Sequence, residues 1–506
     1  MREFLSGPQS YLGLLDRWKD VFKDRELIVA SNRGPVEYQQ SGEGKAQARR
    51  GSGGVVTALN ILTNNLEFTW VASAMGEGDR KVAQQSEGSS IKSEVPGHKI
   101  SLRYVLTPRR VYHKFYNVIC NPLLWFLQHS MWSSPYTPNI DDTVYDAWNN
   151  GYVSVNQSFA EIIIDEAKKS EKQACILIHD YHLYLTAGMV RKSLPDAIIQ
   201  YFLHIPWPGI GDWHMLPRSM RDAICGSLVS ADIVGFQTKR DAMSFLQCCE
   251  TFLDGCAVDY EEYTLQINDH KTHIKIYPLS IDTNELKAMA NTPRAEAAES
   301  ILRPLLSQKN IVRIDRVEPS KNIVRGFRAY SLMLSRSPDM IGHVKFLAFL
   351  VPSRSHIKQY QRYMQEVEQI ISEVNEKFGT DEWKPIEVFY ENNYTQAIAA
   401  MKLYDVLLVN PIIDGMNLVT KEAPIVNYND GVLIISDTAG AYSQLKDGTW
   451  AVSPSDVEGT ARALYQAVTA SKEDRSKWAN ILKDKVEQED IANWIDRQID
   501  DISAML

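Results

Sequence analysis

The sequence predicts an α/β protein made of two Rossmann-like, doubly wound domains. Three observations carry this expectation. Short apolar runs recur along the chain, polar or amphipathic stretches of helical length separate them, and the runs fall into two series with a Pro- and Asp-containing turn between. Buried parallel strands read as continuous apolar runs, and alternation with helices is the signature of a doubly wound sheet. A chain of 506 residues also exceeds one hydrophobic core and implies roughly two to four domains.

The first series is "ELIVAS" at 26–31, "FTWVASA" at 68–74, "ACILIHD" at 174–180, "AIIQYFLHI" at 197–205 and "ADIVGF" at 231–236. The second is "NIVRID" at 310–315, "VKFLAFLV" at 344–351, "IEVFY" at 386–390, "DVLLVN" at 405–410 and "GVLIIS" at 431–436. Between them "KIYPLSIDTNELKAMA" leads from a strand through a turn into a helix, which places the boundary at 285/286. The expected organisation is therefore an N-terminal domain over 1–285 and a C-terminal domain over 286–475. The stretch 476–506 is apolar at helical spacing and predicts a helical tail packing back on the fold.

Net charge is −9 and the isoelectric point is near 5.7. This balance disfavours nucleic acid and anionic membranes, so an anionic small molecule needs local cations. None of the six cysteines forms a CxxC pair or alternates with histidines at zinc spacing; they read as buried thiols in a reducing compartment. The N-terminal stretch lacks a signal-peptide core, and no run approaches a membrane span. A cytoplasmic location is expected.

Open α/β sheets bind ligands outside the carboxyl ends of their strands. "HDYHLYL" at 179–185 places Asp180 and His182 directly after an apolar run, and His204 follows the next one. A lone histidine there is usually a core residue satisfied by a carbonyl, but three polar groups at two strand ends favour a site. A metal is not expected, since His179 and His182 lack helical i, i+4 spacing and Asp141-Asp142 falls in a polar Pro-rich loop. In "RRGSGGVVTALNIL", Gly53 and Gly54 let backbone amides approach an anion at a helix start, although a flexible turn has the same composition. "SNRGP" sets Arg33 just beyond the first strand.

In "VRIDRVEPSKNIVRGF", Arg316 and Lys321 share a turn after a strand, an arrangement suited to a diphosphate and equally to a solvated basic loop. "NPIIDGMNLVTKEAPIVN" turns at Asp414-Gly415, and a helix is expected to begin over Met416, Asn417, Leu418 and Val419. Its unpaired amides would hold phosphate while Asp414 and Glu422 accept from sugar hydroxyls. The bland reading is an N-cap Asp and an unrelated Glu.

Taken in order, "SNR", "GSGG", "FYNxxxNPLLW", "IHDYHL", "FLHIPWP", "GFQT", "R-x4-K", "VPSR" and "DGMNLVTKE" resemble the trehalose-6-phosphate synthase family. The resemblance runs from about Leu27 to the C-terminal tail. It implies a GT-B fold, two Rossmann-like domains facing a central cleft, and a retaining glycosyltransferase. It further implies that Gly53, Gly54, Arg316, Lys321 and the 415–419 segment hold the nucleotide diphosphate. Glu422 would meet the ribose, and Asp414 and His204 the donor sugar. Arg33, Tyr116, Trp125 and Arg354 would bind the acceptor's phosphate and Asp180 its sugar. Asp180, His204, Arg316 and Lys321 carry the chemistry in this reading, without metal or other cofactor.

The expected substrates are UDP- or GDP-glucose and glucose 6-phosphate, with trehalose 6-phosphate as product and a homo-oligomer compatible. The family usually reads "RLDYxKG" where this chain has "RVEPSKN", an Arg where it has Ile413, and a tryptophan that aligns with Ala72, which predicts a roomier acceptor end. "PSKN" and "EAPIVN" also resemble the validamycin-type pseudo-glycosyltransferase branch. The alternatives are thus another phosphorylated polyol or cyclitol acceptor, or a non-catalytic sugar-phosphate-binding homologue.

Overall fold

The computed structural model describes residues 11–40, 46–51, 53–132 and 138–506. Ser52 of the glycine loop and the start of the N-terminal stretch that was read for a signal peptide lie outside them. The chain divides into two compact units, Met1–Tyr277 with Ala492–Leu506, and Pro278–Ile491. The division falls at Tyr277/Pro278 rather than at 285/286, and the expected tail is split between the units. Helix Lys472–Gln488 counts with the second unit, while the last helix, Ile491–Ser503, belongs from Ala492 onward to the first. Polar contacts explain the latter: Trp494 Nε1 donates to the Tyr277 carbonyl (3.0 Å), Tyr277 donates to Asp501 (2.7 Å), and Trp18 Nε1 donates to Asp496 (2.8 Å).

The first unit is built on a ten-stranded sheet. Its parallel centre runs Ile233–Phe236, Ile198–Phe202, Gln173–His179, Arg25–Ser31, Thr69–Ser73 and Ser101–Val105. His270–Ile276 extends it in parallel, and antiparallel strands Thr264–Ile267 and Ala257–Asp259 close that edge. All five expected runs are present, each apolar because helices cover both faces; Ile28, Ile176, Ile178 and Val234 are fully buried. "SLRYV" escaped the sequence reading because Arg103 interrupts it. That arginine is buried and neutralised by Asp165 and Glu166, both at 2.9 Å.

The second unit has a six-stranded, wholly parallel sheet in the order Ile386–Phe389, Val344–Val351, Lys309–Arg316, Val406–Val409, Val432–Ser436 and Thr449–Val452. Its order reverses at Lys309–Arg316, the first strand in sequence, which pairs with Val344–Val351 on one side and Val406–Val409 on the other. Such a reversal is where doubly wound sheets open a crevice. The turns after Arg316 and after Val409 therefore lie beside each other, and Ile412 N donates to the Ser320 carbonyl across them (2.8 Å).

Candidate active site

In the first unit His179 lies opposite Phe202 in parallel register, so the chains leaving these two strands run side by side. Asp180 N donates to the Phe202 carbonyl (2.9 Å) and Tyr201 Oη donates to the Asp180 carbonyl (2.5 Å). These bonds hold Asp180 at φ +74, ψ 162, a region essentially reserved for glycine. Strain of this kind persists only where the surroundings fix it, and it turns the carboxylate to within 3.7 Å of His182 Nδ1.

His182 continues a column of rings. It stacks on Tyr116 with centroids 5.9 Å apart, and Tyr116 stacks on Tyr112 at 5.5 Å. Tyr116 sits on Lys114–Trp125, a wide helix with i→i+5 bonding, a form found often at functional sites. Trp125 ends that helix but is only 7% exposed; it stacks on His129 at 4.0 Å and supports Tyr181 at 5.8 Å from within the core. His204 is half-buried, and its Nε2 lies 3.3 Å from Nδ1 of the buried His179. Burial lowers the pKa of His179 to about 3 and that of His204 well below the ordinary value, so both rings are neutral.

Arg33 follows the first strand, is exposed, and lies 3.6 Å from Glu37. Gly53 has φ +126, and a Cβ there would touch the Arg33 side chain at 3.6 Å. Gly54 opens helix Gly54–Asn65, which has no side-chain cap at its N-terminus. Asn32, absent from the sequence reading, is buried beneath Arg33, accepts from Ser73 Oγ (2.9 Å) and donates to Tyr112 Oη (3.2 Å). Ala72 leaves no room of the kind expected: it is 1% exposed, and a Cβ on Gly34 would stand 2.9 Å from its methyl. Its small side chain is matched to the Arg33 loop.

In the second unit, strand Lys309–Arg316 delivers Arg313 and Asp315 to one face. Arg313 is fully buried. Its guanidinium donates to Asp315 (2.8 Å), to the Lys321 carbonyl (2.7 Å) and to Asn410 Oδ1 (2.7 Å). A Cβ on Gly326 would fall 2.3 Å from its Nη1, so only glycine fits there. The turn beyond is Pro319–Lys321, and Asn322 takes the left-handed conformation at φ +59. Asn is the residue after glycine that best tolerates this region, which accounts for "KN" where the family reads "KG".

Lys321 Nζ donates to Asp414 Oδ2 at 2.5 Å, and Asn417 Nδ2 donates to the same oxygen at 3.0 Å. Burial lowers the Lys321 pKa, but Asp414 and Asp315 outweigh it and leave the ammonium more firmly charged than usual. Glu318, also fully buried, gathers the other cations. It accepts from Arg354 Nη1 (3.0 Å) and Ser353 Oγ (2.9 Å), and Arg316 Nε lies 3.3 Å away. Burial raises its pKa, yet Arg316, Arg354 and Lys321 together bring it down to about 2.

The structure thus groups Arg316, Lys321, Asp414 and Arg354 in the second unit, and Arg33, Gly53, Gly54, Tyr116, Trp125, Asp180 and His204 in the first. Arg354 and Arg33, expected to share one phosphate, belong to different units. The expected helix over 416–419 begins at Val419 instead and runs to Val426, because Asn417 at φ +75 breaks the helical path. Gly415, Met416 and Leu418 form a loop whose backbone is tied to Gly440 and Ala441 by Gly440 N to Asp414 O and Ala441 N to Met416 O, both 3.0 Å. Glu422 accepts from Tyr394 Oη at 2.9 Å. Asp141 caps helix Asp142–Ala147. Among the described residues no three His, Cys, Asp or Glu side chains are grouped to hold a metal, and no helix is long and apolar enough to cross a membrane.

Two Rossmann-like units, one with a cation-lined turn at the reversal of its sheet and one with histidines and an aspartate at strand ends, define a GT-B glycosyltransferase. Residues 25–504 match glycosyltransferase family 20, and the chain belongs to that family. It is 29% identical over 464 residues to the UDP-forming alpha,alpha-trehalose-phosphate synthase 2 of Aspergillus niger, spanning 90% of this chain and 92% of that one. It is 27% identical over 480 residues to the validamine 7-phosphate valienyltransferase of Streptomyces hygroscopicus subsp. jinggangensis, spanning 95% and 94%. The E. coli trehalose-6-phosphate structure bound with UDP-2-fluoro glucose superposes with a TM-score of 0.82 at 25% identity, covering 94% of this chain and 99% of that one.

Two predictions follow from the site's strain and charge. Asp180→Gly relieves the φ +74 strain, so the variant should melt no lower than the parent while losing at least about tenfold in turnover; a lower melting temperature contradicts the strain. For Glu318, the pKa falls from 4.5 to about 2 on folding, so its stabilisation is complete above 4.5 and fades as pH drops toward 2. Glu318→Gln should cost roughly 3 kcal/mol at pH 7, and the gap to the parent in thermal melts should close as pH falls from 5 to 2.

Proposed function

We propose that the chain transfers glucose, with retention of anomeric configuration, from a nucleotide-glucose to glucose 6-phosphate, forming trehalose 6-phosphate. The second unit takes the nucleotide sugar and the first takes the acceptor. The observation that carries the reading is the buried Arg313–Lys321–Asp414 framework beside Arg316: fixed cations on a rigid turn suit a diphosphate leaving group. The relatives' UDP-forming synthase activity and the bound UDP-2-fluoro glucose of the structural neighbour support UDP-glucose as donor, with GDP-glucose the other candidate.

In this mechanism Arg316 and Lys321 take up charge as the anomeric bond breaks toward an oxocarbenium-like ion pair. The acceptor hydroxyl attacks from the leaving-group face, and the departing phosphate takes its proton. No enzymic nucleophile and no metal are needed. Asp414 serves the donor sugar and positions Lys321, Glu422 the ribose, and His204 the donor sugar. Asp180 orients the acceptor, and Arg33 and Tyr116 serve its phosphate. A second reading, a cyclitol phosphate as acceptor, is favoured by the similarity to the valienyltransferase over 95% of the chain.

Lys321→Ala and Arg316→Ala should each lower kcat at least about a hundredfold, the scale for one charge-stabilising group; near-normal rates in a folded variant would remove that residue from the diphosphate site. The deciding experiment is a screen of nucleotide release with UDP- and GDP-glucose against glucose, glucose 6-phosphate and cyclitol phosphates, run after exhaustive chelation. Glucose 6-phosphate should exceed glucose by about a thousandfold in kcat/KM, because a phosphate dianion takes charge-assisted hydrogen bonds that a neutral sugar cannot. Turnover only with a cyclitol phosphate would replace the acceptor, and strict dependence on added magnesium would overturn the metal-free mechanism.

A further inference from the structure

The ring contact between His179 and His204 has a definite direction. His179 is 1% exposed, and its Nδ1 faces His204 Nε2 at 3.3 Å. Its other nitrogen, Nε2, is buried with no hydrogen-bonding group of the described residues in reach. A neutral imidazole carries one N–H and one lone pair. If the proton sat on Nε2, the core would hold an orphaned donor, and buried orphan N–H groups are rarer than under-satisfied acceptors. The proton therefore belongs on Nδ1, where it donates to His204 Nε2.

That bond fixes the second ring. With Nε2 of His204 accepting, its single proton must lie on Nδ1, the nitrogen that His179 does not engage. We propose that His179 is a positioning residue that locks His204 in the Nδ1–H tautomer, so that His204 offers an N–H donor, not a lone pair, to a substrate hydroxyl. Both rings remain neutral because burial disfavours the imidazolium, and at His204 the neighbouring His179 opposes it further. Phe202 packs edge-on to His204 at 4.7 Å and Trp494 lies 6.5 Å away, so aromatic surfaces hold the ring in place. The inference rests on the proposed contact of His204 with the donor sugar, but the tautomer itself does not.

The test is long-range 1H–15N correlation on the full chain labelled at histidine, with His204 assigned through His204→Gln. His204 should show the Nδ1–H pattern in the parent and lose it in His179→Phe, whose ring keeps the packing without the bond. His179→Gln, whose amide N–H can still donate, should restore it. In parallel, His179→Phe should lower kcat by about tenfold, the scale of one lost hydrogen bond, with acceptor KM within about twofold, and His179→Gln should recover most of the loss. An Nε2–H pattern in the parent overturns the assignment whatever substrate the enzyme uses. A tautomer change without a change in kcat overturns the positioning role. If no donor and acceptor pair turns over, the proposed function fails while the spectra still decide the tautomer.

Discussion

The turn that carries Lys321 depends on a charge with no access to water. Arg313 is fully buried, and removing a partner from such a charge costs roughly 3–5 kcal/mol. Its three acceptors come from three places: Asp315 from its own strand, the Lys321 carbonyl from the turn, and Asn410 from the end of the neighbouring strand. The guanidinium is a planar fork, so these acceptors take fixed directions. A surface loop that would otherwise sample many conformations is thereby held at its centre. Lys321 then reaches Asp414, and Asp414 fixes Asn417.

The first unit reaches rigidity by another route. At the end of Gln173–His179 no buried cation is used; instead phenol hydroxyls bond backbone carbonyls, Tyr201 to Asp180 and Tyr152 to Tyr181 at 2.6 Å. Holding Asp180 outside the favoured regions costs about 1–3 kcal/mol, which these bonds and the packing of Tyr181 and Leu183 must offset. A polar carboxylate is thus aimed by its backbone, where in the second unit a carboxylate is aimed by its charge partner. Both devices fix geometry before any ligand arrives, as charge stabilisation in a transition state requires.

Most of this frame was legible in the chain. All ten apolar runs are strands, because a strand buried on both faces has little choice but to be continuously apolar. What escaped were strands paired at edges or broken by a charge, such as Ser101–Val105 with its neutralised Arg103. At the site, Arg316, Lys321 and Asp414 were legible as residues but their pairing was not, since 93 positions separate Lys321 from Asp414. Arg313 and Asp315 did leave a signal: two opposite charges at i and i+2 in a strand share a face. The apolar residues around them in 310–315 mask that signal. The false helix start at Met416 has a similar cause, for "DGMN" is a good helix opening by composition and only Asn417's left-handed backbone defers it to Val419.

The departures from the family pattern divide by what the structure does with them. "RVEPSKN" keeps the geometry its glycine-containing counterpart would have: Glu318 accepts from Arg354, Pro319 opens the short turn, and Asn322 adopts the left-handed backbone while its Nδ2 donates to the Asn410 carbonyl at 2.9 Å. With Ile413 in place of an arginine, the cation facing Asp414 comes from Lys321 on the adjoining turn. Both changes leave the Arg313 bond to the Lys321 carbonyl and the Lys321–Asp414 pair in place. Ala72 is likewise absorbed, buried against Gly34. The column of Tyr112, Tyr116 and His182 beside Asp180 stands apart from these positions, because its rings are held by stacking on one another and stay half-exposed.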